Sequence, residues 1–168
     1  MCASFKRGAA ILHNDLRRIQ SSPSEHFSVG CADDIYNWEV VIIGPQGTPY
    51  ENGIFKAIMK FPMSYPDDPP TFTFKSNMFH PNIHPTTYEV CISILHKSGD
   101  DAFGYESANE RWLPVRNPES VIISILSLLS APNVDSPADL DAANMYVRHR
   151  DDYEKLVRKI AQKTLESE

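Results

Sequence analysis

The hydrophobic positions of this chain change period several times, and each change predicts an element. Phe5, Ala9, Leu12, Leu16 and Ile19 recur at three- and four-residue intervals, the stripe of an amphipathic helix. Ser21-Ser22-Pro23 closes it, because proline disfavours helical geometry in the residue before it. Four alternating runs follow: Phe27, Val29, Cys31; Tyr36, Trp38, Val40, Ile42; Phe55, Ala57, Met59, Phe61; and Phe72, Phe74. Turn-forming stretches separate them at Asp33-Asp34, Gly44 to Gly47, Asn52-Gly53 and Pro62 to Pro70. Period-two alternation with such turns predicts an antiparallel meander with one face on a core, which the first helix is expected to cover. From about Asn77 to Asn117 neither period holds. Asn117-Pro118-Glu119 then reads as an N-cap with proline at the first helical position. Val121 to Leu129 is apolar almost all round, so a central helix buried on most sides is expected behind the sheet, ending at Ala131-Pro132. Pro137 should open a short helix to about Arg148, and Tyr153, Leu156, Val157, Ile160, Ala161 and Thr164 mark a last amphipathic helix. The expected class is α+β: an N-terminal helix, a four-stranded antiparallel meander, a long irregular segment and C-terminal helices.

Composition narrows the function classes. A length of 168 residues suits a single domain over 1–168, and 42% hydrophobic with 23% charged residues suits a soluble globular protein. A net charge of −6 argues against a nucleic-acid surface, which needs clustered Lys and Arg. Three cysteines (Cys2, Cys31, Cys91) at no metal-like spacing argue against a disulfide framework and for a reducing compartment, cytosolic or nuclear. No apolar run reaches the length of a membrane span and no signal-peptide core is visible, so direct membrane insertion is not expected.

The irregular segment carries the candidate chemistry. Irregular stretches of that length inside a domain are usually functional or disordered, and the aromatic residues and prolines here favour order. Phe79 to His96 holds one candidate nucleophile, Cys91, and a side-chain amide, Asn82, ahead of it. Val90-Cys91-Ile92 would equally suit a buried cysteine acting as a small hydrophobe. His80, His84, Cys91 and His96 are zinc ligands by type, but their spacing matches no common finger, and no metal or other cofactor is expected. Cysteine-protease chemistry is disfavoured because Ile92-Ser93-Ile94-Leu95 reads as extended, whereas that chemistry places its thiolate at a helix N-terminus.

His80-Pro81-Asn82, followed by Val90-Cys91-Ile92-Ser93-Ile94-Leu95-His96, resembles the active-site signature of the ubiquitin-conjugating enzymes. Tyr36-Asn37-Trp38-Glu39, Gly44-Pro45 with Tyr50-Glu51, Phe61-Pro62 with Tyr65-Pro66 and Pro69-Pro70, Glu110-Arg111-Trp112, and Ser136-Pro137 all stand in family order. An insertion at about 97–110, with the adjacent acids Asp100 and Asp101, is similar to the acidic loop of the degradation-linked branch, in particular its type in endoplasmic-reticulum-associated degradation.

The resemblance implies that Cys91 carries ubiquitin as a thioester and passes it to a lysine amine. Asn82 would then stabilise the oxyanion, directly or by holding a loop in place, and His80 would tie down the turn. Much of the family has an aspartate after the central helix. Ser136 is the best match to it here, with Asp135 beside it, and Asp100, Asp101 and Asp135 are expected to orient the incoming amine. The implied partners are ubiquitin, a ubiquitin-activating enzyme meeting Lys6 and Arg7, and a RING-type ligase meeting Pro66, Asp67, Trp112, Leu113 and Pro114. The loop before Cys91 departs from the family: its expected glycine is missing, and Pro85-Thr86-Thr87-Tyr88 stands there. Conjugation of another ubiquitin-like modifier and a non-catalytic binding variant of the fold remain as alternatives.

Overall fold

The computed structural model describes residues 2–97, 99, 107 and 109–166, with side chains from residue 6 onward. Helix α1 (Cys2–Ser21) leads into strands β1 (Phe27–Gly30), β2 (Asn37–Ile43), β3 (Ile54–Lys60) and β4 (Thr71–Phe74), and then α2 (Pro118–Ser130), α3 (Leu140–Arg148) and α4 (Arg150–Glu166). The strands form one antiparallel sheet in sequence order, with Val40 opposite Val29 and Ala57, and Ala57 opposite Phe74. The alternation read from sequence is the alternation of burial: Trp38, Val40, Ile42, Phe55, Ala57, Met59, Phe72 and Phe74 all face the interior. They share one core with Leu12 and Ile19 of α1, Val121, Ile122, Ile125 and Leu129 of α2, and Val157 and Ile160 of α4. The sheet is therefore covered by several helices, not by α1 alone.

Helix α2 meets expectation and helix α3 departs from it. Helix α2 begins as predicted, with Asn117 accepting from the Ser120 N–H at 2.9 Å and Ser120 Oγ accepting from the Asn117 N–H at 3.2 Å, a reciprocal cap. It is buried on most sides, as expected, and the exception is one face on which Ile123 is 51% exposed beside Ser127 and Ser130. The hydroxyls of Ser124, Ser127 and Ser130 satisfy themselves on carbonyls one turn back, which lets that face stay polar. Helix α3 starts at Leu140 and not at Pro137: Asp139 caps it, accepting from the Ala142 N–H at 3.0 Å.

The elements behind the irregular segment are tied by tyrosine. The Tyr50 hydroxyl donates to the Phe79 carbonyl at 2.7 Å and lies 2.8 Å from the Tyr153 hydroxyl, so α4 and the loop before β3 hold the start of the segment. Gly44 makes room for this loop, since a Cβ there would stand 1.7 Å from the Tyr50 carbonyl oxygen.

Candidate active site

The segment from Asn82 to Cys91 folds back on itself as an irregular hairpin on the free edge of β4. Thr73 bridges Glu89, and Ile83 bridges Val90. Phe74 N–H donates to Tyr88 O (3.0 Å), Val90 N–H to Phe72 O (2.9 Å) and Cys91 N–H to Asn82 O (2.9 Å). The sheet thereby fixes the backbone of the cysteine against that of the asparagine. Next, Ser93–Leu95 forms a single 3₁₀ turn. That corrects the extended reading of Ile92 to Leu95; a turn so short supplies little of the dipole that lowers a thiol pKa in a longer helix.

Cys91 is exposed at the mouth of a cleft of about 700 Å³ that Asn82, Ser127, Leu128, Asn133 and Ser136 also line. A cysteine serving only the core would not stand there. Its thiol is pushed above the ordinary cysteine range, first by partial burial and then by the carboxylate of Glu89. This candidate nucleophile is therefore mostly thiol near neutral pH, unlike the pre-ionised cysteine of a protease.

His80 is wholly buried and both its ring nitrogens are engaged. Nδ1 accepts from the Asn82 N–H at 2.9 Å, which puts the proton on Nε2, and Nε2 donates to the Leu128 carbonyl at 2.9 Å. Burial lowers its pKa to about 4, so the ring is neutral and serves as a strut between the signature turn and α2. With no lone pair left over it is neither a base nor a metal ligand. Among the described residues, no three His, Cys, Asp or Glu side chains come together as a metal site.

Asn82 is also buried, and its amide is matched to the backbone of Asn133: Nδ2 donates to Asn133 O at 2.7 Å, and Oδ1 accepts from Asn133 N–H at 2.9 Å. Nearby, the Pro81 carbonyl accepts from the N–H groups of Ala138 and Asp139 at 2.8 and 3.0 Å. The signature thus holds the loop after α2, residues 131–139, against the cleft. Ser136 lines the cleft, whereas Asp135 is solvent-exposed and its N–H donates to Asn133 Oδ1 at 3.0 Å. Asn133 was not singled out in the sequence, where only its place after Ala131-Pro132 marks it as a helix-end residue.

Of the residues expected to meet partners, Lys6 and Arg7 are exposed on α1, as are Asp67 and Pro114 on their loops, and Leu113 is half-buried. Pro66 and Trp112 are not surface groups. Trp112 is 1% exposed, its ring tilts against Tyr65 at 5.8 Å, and its indole N–H donates to the buried Pro66 carbonyl at 2.8 Å. An indole that must place one N–H finds its acceptor inside the fold, so the pair joins the two loops to each other. The exposed large apolar groups there are Val115 at 86%, which continues the apolar run Trp112-Leu113-Pro114 of the second loop, and Met63 at 58%, which the sequence reading passed over. Asp100 and Asp101 lie outside the described residues.

Residues 11–161 match the family model described as ubiquitin-conjugating enzyme. The chain belongs to that family. It is 49% identical over 158 residues to ubiquitin-conjugating enzyme E2 15 of Schizosaccharomyces pombe, covering 93% of this chain and 94% of that one. Similarity extends to ubiquitin-conjugating enzyme E2 13 of Arabidopsis thaliana, at 47% with 93% and 95% covered. It extends also to ubiquitin-conjugating enzyme E2 G2 of Homo sapiens, at 42% with 90% and 92% covered. The ubiquitin-conjugating enzyme described here thus carries the family's helix, four-stranded sheet and C-terminal helices. None of its described helices is long and apolar enough to cross a membrane.

Proposed function

We propose that Cys91 receives ubiquitin from a ubiquitin-activating enzyme as a thioester and transfers it to lysine, building degradative chains with a RING-type ligase. The observation that carries this reading is the exposed Cys91 at the mouth of a cleft of mixed polar and apolar lining, with its backbone hydrogen-bonded to that of Asn82. In the first step the Cys91 sulfur displaces the activating enzyme's thiol from the ubiquitin carbonyl. In the second a neutral lysine amine adds to that carbonyl, the tetrahedral oxyanion collapses, the carbon–sulfur bond breaks, and the departing thiolate regains a proton. Thiolate leaves readily, so the site must chiefly orient an unprotonated amine and shelter the oxyanion.

Asn82 acts by holding the 131–139 loop in register beside the cleft, a role supported by its two bonds to Asn133. Ser136 borders the amine's path from within the cleft, and Asp135, Asp100 and Asp101 orient the amine. The insertion at about 97–110, with its paired acids, supports placing the chain in the acidic-loop branch of the endoplasmic-reticulum-associated type. Lys6 and Arg7 would meet the activating enzyme, and the loops carrying Asp67 and Leu113-Pro114 would meet the ligase.

The test is thioester loading with ubiquitin and with other ubiquitin-like modifiers, with and without reductant. Ubiquitin should form a reducible adduct that Cys91→Ala abolishes. An adduct that survives the substitution would place the nucleophile elsewhere, and loading by a different modifier alone would reassign the substrate.

A further inference from the structure

The loop before Cys91 turns at Tyr88, where φ is 59°, a left-handed conformation that favours glycine. A β-carbon there is strained, and such a residue persists only when its surroundings over-determine it. Tyr88 N–H donates to His84 O (3.0 Å), and Tyr88 O accepts from Phe74 N–H (3.0 Å). Its ring packs against the core, and its hydroxyl donates to Asn77 Oδ1 at 2.7 Å. Asn77 in turn follows a segment pinned to β3. The N–H groups of Lys75 and Ser76 donate to Lys56 O at 2.8 and 3.3 Å, and Ser76 Oγ accepts from Lys56 N–H at 2.9 Å.

Between Tyr88 and Cys91 stand only Glu89 and Val90, each bridged to a neighbouring strand or turn. Rotation at Tyr88 therefore has no slack in which to dissipate before it reaches the sulfur. We propose that Tyr88 and Asn77 form a positioning pair for the nucleophile: the phenol–amide bond holds a non-glycine turn in its left-handed state and so sets the direction of Cys91 Sγ. The pair replaces the conformational freedom of a glycine with a side-chain strut. This inference rests on Cys91 being the thioester-bearing residue.

The experiment is single-turnover discharge of pre-loaded enzyme to free lysine, with melting temperature recorded for every variant. Tyr88→Phe and Asn77→Ala should each lower kcat about two- to fivefold, the worth of one hydrogen bond, with KM for lysine unchanged. Asn77→Asp keeps the acceptor and should restore the wild-type kcat. In a Tyr88→Gly background the turn needs no strut, so Asn77→Ala should have no further effect. Wild-type discharge by Tyr88→Phe would overturn the proposal, as would an equal loss from Asn77→Ala in the wild-type and Tyr88→Gly backgrounds. Should the wild-type enzyme itself fail to load at Cys91, it is the thioester reading that falls, a result visible before any discharge is measured.

Discussion

The side-chain amide of Asn82 pairs donor to acceptor with the peptide of Asn133, at 2.7 and 2.9 Å across 51 positions of sequence. An amide so placed completes the backbone of a loop that has just left α2, where peptide groups lack helical partners. The Asn82 of the signature is thus a splice between two segments, with Cys91 joined to one of them through the Asn82 carbonyl.

Removing the splice should affect stability and transfer together. Asn82→Ala leaves the Asn133 N–H and carbonyl without partners and should cost about 1–3 kcal/mol. Asn82→Asp keeps the acceptor but sets a carboxylate oxygen against the Asn133 carbonyl, and should be no better. Both variants should still load ubiquitin, discharge to lysine more slowly, and show faster amide hydrogen exchange from Asn133 to Asp135. A variant slow in discharge with an unchanged melting temperature and unchanged exchange would point instead to direct oxyanion donation by Asn82, for which a loss of roughly 10²–10³ is expected.

His80 gives the fold an acid limit. Its pKa falls from 6.5 to about 4 on burial, so between these values the unfolded chain binds a proton that the native chain does not. Stability therefore rises with pH across that window: the contribution is complete above about 6.5 and is lost as pH falls toward 4. A shift of this size corresponds to about 3 kcal/mol. Urea melts at about pH 7, 5.5 and 4 should show the decline, and His80→Gln should flatten it while lowering stability at neutral pH. An unchanged slope in His80→Gln would assign the acid sensitivity to other groups.

Local pattern and long-range contact divide what was legible in advance. Strands β2, β3 and β4 were legible because each buries alternate residues, and α2 was legible at its start because Asn117 and Ser120 cap each other locally. The exposed side of α2 was not located in advance because Ile123 outweighed the serines that mark the polar face. The start of α3 was missed because the N–H groups of Ala138 and Asp139 are taken by Pro81, far away in sequence. The same holds at the site. Cys91 stood out by residue type, and Asn82 and His80 by their resemblance to the family signature, but the partner of Asn82 and the interior acceptor of Trp112 are set by tertiary contacts that no local periodicity records.

The thiol of Cys91 should behave as an unactivated one. Partial burial raises its pKa and Glu89 raises it further, so alkylation by iodoacetamide should be slow near neutral pH and accelerate through the alkaline range. In a background lacking Cys2 and Cys31, Glu89→Gln should move the profile to lower pH by less than burial moves it up, since the carboxylate is the smaller of the two causes. A rate already at its plateau at neutral pH would mean a thiolate stabilised by some group beyond those described.

The two loops proposed to meet the ligase separate interior from surface residues by the kind of damage each should cause. Trp112→Phe removes the indole N–H from the Pro66 carbonyl, and a buried acceptor left without its donor should cost about 1–3 kcal/mol. That loss belongs to the fold, so it should lower the melting temperature and leave the ratio of ligase-stimulated to unstimulated discharge near its wild-type value. Val115, being almost wholly exposed, should behave in the opposite way. Val115→Glu should leave the melting temperature within error, because surface substitutions are usually within about 0.5 kcal/mol of neutral. It should lower the stimulated rate, because a charge would then enter a small apolar contact of the kind transient partners use. Finding the stimulation lost in Trp112→Phe and kept in Val115→Glu would reverse the assignment and return the docking role to the indole.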